Sequence, residues 1–220
     1  MPGTLYIVST PIGNLQDITL RAIETLKTVD LIAAEDTRHT RILLDRYGIK
    51  TPTTSYFEYN KLQKTEYLIR VLNEGRSVAL VSDAGTPGIS DPGWKIIRMC
   101  IDGAIPVVPV PGPSGLVTAL TISGKPTDAF TFEGFLSPKP ARRRNELKKL
   151  RDEARTAVLY ESPHRIEKLL ADIIEVYGDV DVVLARELTK KFEEVLREKA
   201  SSLIKRLAKD KPRGEFIVIV

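Results

Sequence analysis

The stretch VALVSDAGTPGISDPGWKIIRMC (78–100) joins an apolar run to a helical pattern through the twelve residues SDAGTPGISDPG (82–93). Strand-to-helix connections usually take about 2 to 6 residues, and longer ones without structure of their own tend to be functional. With glycine at 85, 88 and 93 and proline at 87 and 92, this loop is both free of side-chain bulk and stiff. Asp91-Pro92 reads as the start of the helix over WKIIRMCIDG. Glycines 85 and 88 are then left to admit a ligand.

Outward from this unit the same alternation repeats. LYIVS (5–9) and DLIAAED (30–36) read as buried strands. The helix after LYIVS carries Leu20, Ile23 and Leu26 at helical spacing, with Asp17 as its expected cap. A helix over RHTRILLDRYG, a loop through TPTTSYFEYN and a helix over KLQKTEYLIRVLNEG precede VALVS, and the strand IPVVPV (105–110) follows it. Such an order predicts an α/β fold with a mainly parallel sheet covered by helices on both faces.

PGPSGLVTALTISG (111–124) reads as a turn feeding a small-residue helix, and the turn-rich GKPTDAF after it sets a domain boundary, giving domains 1–124 and 125–220. The second half holds five strands, FTFEGFL, TAVLYES, DVVLARE, EEVLREKA and EFIVIV, with three helices among them. VLARE passes through Thr-Lys-Lys into EEVLRE with no room for a helix, which predicts a hairpin and therefore a mixed sheet.

Ligands of open α/β sheets bind beyond the carboxyl ends of the strands. Three such ends carry small-residue loops here: TPIGN (10–14), SDAGTPGISDPG and PGPSG (111–115). Together they describe a pocket lined by main chain. No G-x-G-x-x-G follows the first strand, which disfavours a nicotinamide enzyme. Gly124-Lys125 has Ala119 and Pro126 at positions where a phosphate-binding P-loop needs glycine and Ser or Thr, so that motif is absent too.

Composition narrows the class further. With 42% hydrophobic and 28% charged residues the chain has material for a core. No apolar run reaches the roughly 18 residues of a membrane span, and the N-terminus lacks a secretory pattern, so a cytoplasmic protein is expected, with no membrane partner. One cysteine and two histidines predict neither disulfide nor structural metal, and Cys100 reads as a small buried hydrophobe. Lys139 to Arg155 holds eight basic residues and three acids in a chain whose net charge is +4. Such a localised basic segment suits a polyanion, although a solvated helix face has the same composition.

The segments STPIGNLQD (9–17), AEDTR (34–38), SDAGTPGISDPG, VPGPS (110–114), EGFL with PK and RR after it (133–143), YESPHR (160–165) and RELTKKFEE (186–194) occur in this order. Together they closely resemble the tetrapyrrole (corrin/porphyrin) methylase superfamily, and within it the members that act on small-subunit ribosomal RNA. The resemblance spans nearly the whole chain. It implies two α/β domains with S-adenosylmethionine (SAM) in the cleft between them, a homodimer, and methyl transfer to the ribose 2′-oxygen of a cytidine in the decoding region of 16S rRNA, as free RNA or in the 30S subunit. Carried over by motif, the cofactor residues are Pro11, Gly85, Thr86, Pro87, Ser90, Ser114, Gly115, Glu161, Leu188 and Glu215. Such enzymes usually continue past the GEF strand, whereas this chain stops at Val220; that leaves open any RNA contact made by a tail, and does not touch the SAM cleft.

Methyl transfer to a hydroxyl needs mainly in-line positioning, helped by a base or by a cation that stabilises the developing alkoxide. Asp36 and Glu161 are the candidate acceptors and Lys139 the candidate cation. A helix cap, or an ion pair with Arg38 or Arg41, is the competing reading of Asp36, and a surface or capping role is the reading of His164. For RNA, Lys139, Arg142, Arg143 and Arg144 are the expected phosphate contacts, and Tyr56, Phe57 and Tyr59 either stack bases or belong to the core. Two other functions remain: a SAM-dependent methyltransferase of a small molecule, such as a tetrapyrrole or an amino-acid derivative, which has no need of the basic segment, and a non-catalytic RNA-binding module, which has no need of the pocket.

Overall fold

The computed structural model describes residues 1–57, 61–209 and 213–220, and the chain divides into two compact units, Met1–Ser114 and Gly115–Val220. The boundary drawn from sequence after Gly124 lies past this division. In the structure the small-residue helix Gly115–Thr121 packs on the last strand of the second unit.

The first unit runs β1 (Leu5–Val8), α1 (Leu20–Thr28), β2 (Leu31–Ala34), α2 (Thr37–Arg46), β3 (Thr53–Ser55), α3 (Lys61–Asn73), β4 (Val78–Val81), α4 (Trp94–Asp102) and β5 (Val107–Val110). Its sheet has the order β3-β2-β4-β1-β5, and every pairing is parallel. Successive residues of a strand face opposite sides, so a strand covered on both must be apolar throughout. β4 shows this residue by residue. Val78 and Leu80 join the core under α3 and α4, with Leu68, Leu72, Ile96 and Cys100, and Ala79 and Val81 join the core under α1 and α2, with Ala22, Leu26, Leu43 and Leu44. Cys100 is the expected buried hydrophobe, and burial pushes its thiol up to about 11.

Three local expectations fail for identifiable reasons. Asp17 does not cap α1: residues Leu15–Asp17 form a short 3-10 turn capped by Asn14, and the Thr19 hydroxyl accepts from Ala22 N instead. With the helix starting at Leu20, that residue points outward, 81% exposed, while Ala22 and Leu26 are buried. Asp91-Pro92 does not open α4 either, because the chain turns once more and the cap position falls to Gly93, with no side-chain cap bond. TPTTS, read as loop, contains the edge strand β3, whose short, half-exposed TTS carries no apolar alternation to betray it.

The second unit runs α5 (Gly115–Thr121), β6 (Phe130–Phe135), α6 (Pro140–Glu153), β7 (Thr156–Glu161), α7 (Ile166–Tyr177), β8 (Asp181–Arg186), β9 (Glu194–Lys199), α8 (Ala200–Leu207) and β10 (Phe216–Ile219). The order is β6-β7-β10-β8-β9. β6 and β7 are parallel, the other pairs antiparallel, and β8 and β9 form the expected hairpin. α6, α7 and α8 cover one face, packing Leu147, Leu170 and Leu203 on Leu159, Leu184 and Phe216.

Candidate functional site

In the first unit β1 and β4 are neighbours, and the helices that follow them, α1 and α4, lie on opposite faces. Their connections diverge at the carboxyl ends, which is the geometry that opens a binding crevice in such sheets. All five strands are parallel, so TPIGN, SDAGTPGISDPG and PGPSG leave from this same margin.

The first two loops are tied to each other by main chain, and the third packs closely against the first. Thr10 and Gly85 exchange both backbone hydrogen bonds, at 2.9 and 3.0 Å. The Thr10 hydroxyl donates to the Ser82 carbonyl at 3.1 Å, and the hydroxyls of Ser9 and Thr86 share a bond of 2.9 Å. Gly85 holds φ +80°, a region side chains rarely enter. A Cβ on Gly112 would stand 3.0 Å from the Ser9 Cβ, so the third loop approaches the first as closely as only glycine allows. Pro11, Gly85 and Pro87 are buried in this assembly, Thr86 and Ser114 are half-buried, and Ser90 is exposed. Ser90 also takes φ +60°, the kind of strained backbone that gathers at ligand sites.

The end of β2 belongs to the same margin through two carboxylates that sequence reasoning passed over. Asp83 Oδ1 accepts from Asp36 N at 3.0 Å, and Glu35 Oε2 accepts from Asp83 N at 3.4 Å. Burial raises the Glu35 carboxyl above its ordinary value against the opposing Asp83 N–H, and the neighbouring charges of Asp83 and Asp36 raise it further. Glu35 and Asp83 were legible as an acidic pair flanking the loop, but nothing local shows that they meet. Asp36 itself caps α2. Its carboxylate accepts from Arg38 N at 2.8 Å and from the Arg38 guanidinium at 2.8 and 3.2 Å, and these bonds hold it well below the usual carboxylate range. A group so easily ionised is a weak base; Arg41 pairs with Asp45 instead.

In the second unit Glu161 ends β7 with its side chain fully buried. Oε1 accepts from Ser162 N at 2.8 Å. Oε2 lies 3.2 Å from Arg165 Nη2, but that nitrogen is directed to the Leu136 carbonyl at 2.6 Å. The charge is paired, yet the oxygen accepts no hydrogen bond, and a buried acceptor left so costs about 1–3 kcal/mol. A ligand rich in donors fits it. Leu188 is buried after β8, flanked by Glu187 and Thr189 at φ +49° and +66°. Glu215 is exposed, paired with Lys190 at 3.3 Å, and its N–H donates to Glu187. Gly115 starts α5, where a Cβ would meet Ile217 Cδ1 at 3.2 Å and Tyr160 Oη at 3.6 Å.

The arginines of α6 correct the expectation made for them. Arg143 is only 3% exposed and donates to Asp172 Oδ2 at 2.6 Å, and Arg144 pairs with Asp172 and Glu175 on α7. Both are spent on holding α6 to α7. Arg142, 75% exposed, pairs with Glu146, and Lys139 is exposed at the cap of α6. Tyr56 is core, its hydroxyl 3.2 Å from that of Thr65; Phe57 is partly exposed, Tyr59 lies outside the described residues, and His164 is an exposed turn residue.

Comparison with known proteins agrees across the chain. The family model described as Tetrapyrrole (Corrin/Porphyrin) Methylases matches residues 4–204. Among curated proteins, a ribosomal RNA small subunit methyltransferase I from Thermotoga maritima is 49% identical over 99% of this chain and 98% of its own length. A namesake from Escherichia coli O157:H7 is 50% identical over 99% of this chain and 77% of its own. Among solved structures, a diphthine synthase superposes with TM-score 0.76 at 15% identity over 99% of this chain and 90% of that one. A cobalt precorrin-4 methyltransferase does so with TM-score 0.74 at 16% identity, over 98% and 94%. At such identities these two share the fold.

Proposed function

The chain belongs to the tetrapyrrole (corrin/porphyrin) methylases, and on that premise we propose that it methylates the ribose 2′-oxygen of a cytidine in the decoding region of 16S rRNA. SAM is its cofactor and, when bound, supplies an activated methyl carbon on a sulfonium. The observation that carries the RNA substrate is the 49% identity to a ribosomal RNA small subunit methyltransferase I over almost the full length of both chains.

The chain's own residues divide the work. Pro11, Gly85, Thr86, Pro87, Ser90 and Ser114 present peptide groups and small side chains to the cofactor; their support is the hydrogen-bonded margin from which the three loops leave. Glu161 accepts a hydrogen bond from the cofactor through Oε2, which accepts none among the described residues, and Gly115, Leu188 and Glu215 complete the set by resemblance. A ribose hydroxyl is a poor acid, so holding its oxygen in line dominates. Glu161 and Lys139 remain the acceptor and the cation of the reading, and Asp36 acts as a cap that fixes the start of α2. Lys139 and Arg142 meet phosphate. The protein works in the cytoplasm as a homodimer, and the dimer is supported by Trp94 and Ile101, both exposed on α4 and about two turns apart; a monomer mass by sedimentation would remove the dimer.

The test supplies labelled SAM with 30S subunits, free 16S rRNA and porphyrinogens in parallel. Label on one cytidine ribose of the rRNA is expected. Label only on the tetrapyrrole would assign the small-molecule reading, and none despite SAM binding would overturn both.

A further inference from the structure

Phe132 and Phe135 are three residues apart in β6, a spacing that sends side chains to opposite faces of a regular strand. The register with β7 shifts between Phe132 and Gly134, so one extra residue sits in β6 and the parity reverses. Both rings consequently meet Tyr160 edge to face, with centroids 5.0 and 5.8 Å away. Phe135 is held there and yet remains 57% exposed.

The segment after it is fixed as well. The Leu136 carbonyl accepts from Arg165, Ser137 N donates to Glu146 Oε2 at 2.9 Å, and Lys139 N donates to Ser137 Oγ at 3.3 Å. Four and seven residues beyond the ring come Lys139 and Arg142, both exposed. An ordered aromatic ring open to solvent, followed by cations, is the combination by which single-stranded RNA is gripped: flat bases stack on the ring and phosphates meet the charges. A bulge that merely served the sheet would have no reason to keep a phenylalanine at the surface beside Leu136, which is buried.

We infer that Phe135, steadied by Tyr160 and Phe132, is a stacking platform for an unpaired base of the RNA substrate, with the adjoining phosphates on Lys139 and Arg142. This rests on the rRNA reading above and adds the residue that would receive a base. It also moves aromatic recognition from the loop around Tyr56 to β6.

The test uses short single-stranded RNA carrying 2-aminopurine, whose fluorescence is quenched on stacking. The wild type and Phe135→Tyr should quench it, whereas Phe135→Leu and Phe135→Ala should lose the quenching and bind about tenfold more weakly. SAM affinity by calorimetry should not move, and the urea midpoint should fall only by the small contribution of the Tyr160 contact. Unchanged quenching and affinity in Phe135→Leu, with the wild type methylating rRNA, overturns the platform and leaves the methyltransferase reading standing. A shift in oligomeric state without loss of RNA affinity also overturns it, assigning the ring to a protein contact. A wild type that methylates no RNA removes both.

Discussion

The carboxyl margin of the first sheet and helix α6 of the second unit are stabilised by different kinds of group. At the margin the ties are main chain to main chain, Thr10 with Gly85 in both directions, reinforced by short hydroxyls. On α6 they are long charged side chains reaching another helix, Arg143 and Arg144 to Asp172 and Glu175. Substitutions that alter backbone freedom should therefore damage the margin through ligand binding, and those that remove charge should damage α6 through folding.

The largest expected effect is on α6. Arg143→Ala leaves Asp172 buried beside only the partly exposed Arg144, and stability should fall by about 3–5 kcal/mol in urea unfolding; adding Asp172→Ala should restore part of it. Arg142→Ala, at the surface, should stay within about 0.5 kcal/mol of wild type while weakening RNA binding. Equal stability of the Arg143 and Arg142 variants would erase the contrast. A combined replacement of Arg142, Arg143 and Arg144 would mix lost RNA contact with unfolding, because Arg143 and Arg144 hold α6 to α7.

At the margin, Gly85→Ala forces a side chain to φ +80° at a cost of about 1–2 kcal/mol, and SAM affinity should drop at least tenfold. Calorimetry reads it, and unchanged affinity would place the cofactor off this loop. Glu161→Gln removes the charge that faces Arg165 and should weaken SAM binding by about tenfold; an effect on folding alone, with SAM affinity intact, would assign Glu161 to structure.

The smallest effect is Glu35→Gln. The folded-state carboxyl is raised above its ordinary 4.5, so the folded protein binds that proton more tightly than the unfolded chain and stability declines as pH rises through the interval above 4.5. The variant should be slightly more stable than wild type at pH 7 and indistinguishable below pH about 4, by thermal melts at both.

The same contrast explains what the sequence disclosed. Strand, loop and helix over 78–100 were readable because apolar runs, glycine and proline act on their own stretch of chain, and the hairpin of β8 and β9 followed from a connection too short for a helix. The fates of Arg143 and Arg144 were not readable, since the acids that claim them lie on another helix. Asp36 was ambiguous for a related reason: its cap and its Arg38 partner are local, and only geometry shows that both are made. The open oxygen of Glu161 depends on where Arg165 points its nitrogen, and the bulge that turns Phe135 outward depends on register with β7. Side-chain pairing at long range is what composition and spacing do not carry.

Backbone amide NMR during titration with SAM addresses the main proposition most directly. Shifts concentrated on residues 10–14, 85–90 and 111–115, with a second group at 161–162, 187–189 and 215, are expected, with α6 unchanged. Shifts confined to α6, or absent from those three bends, would contradict it.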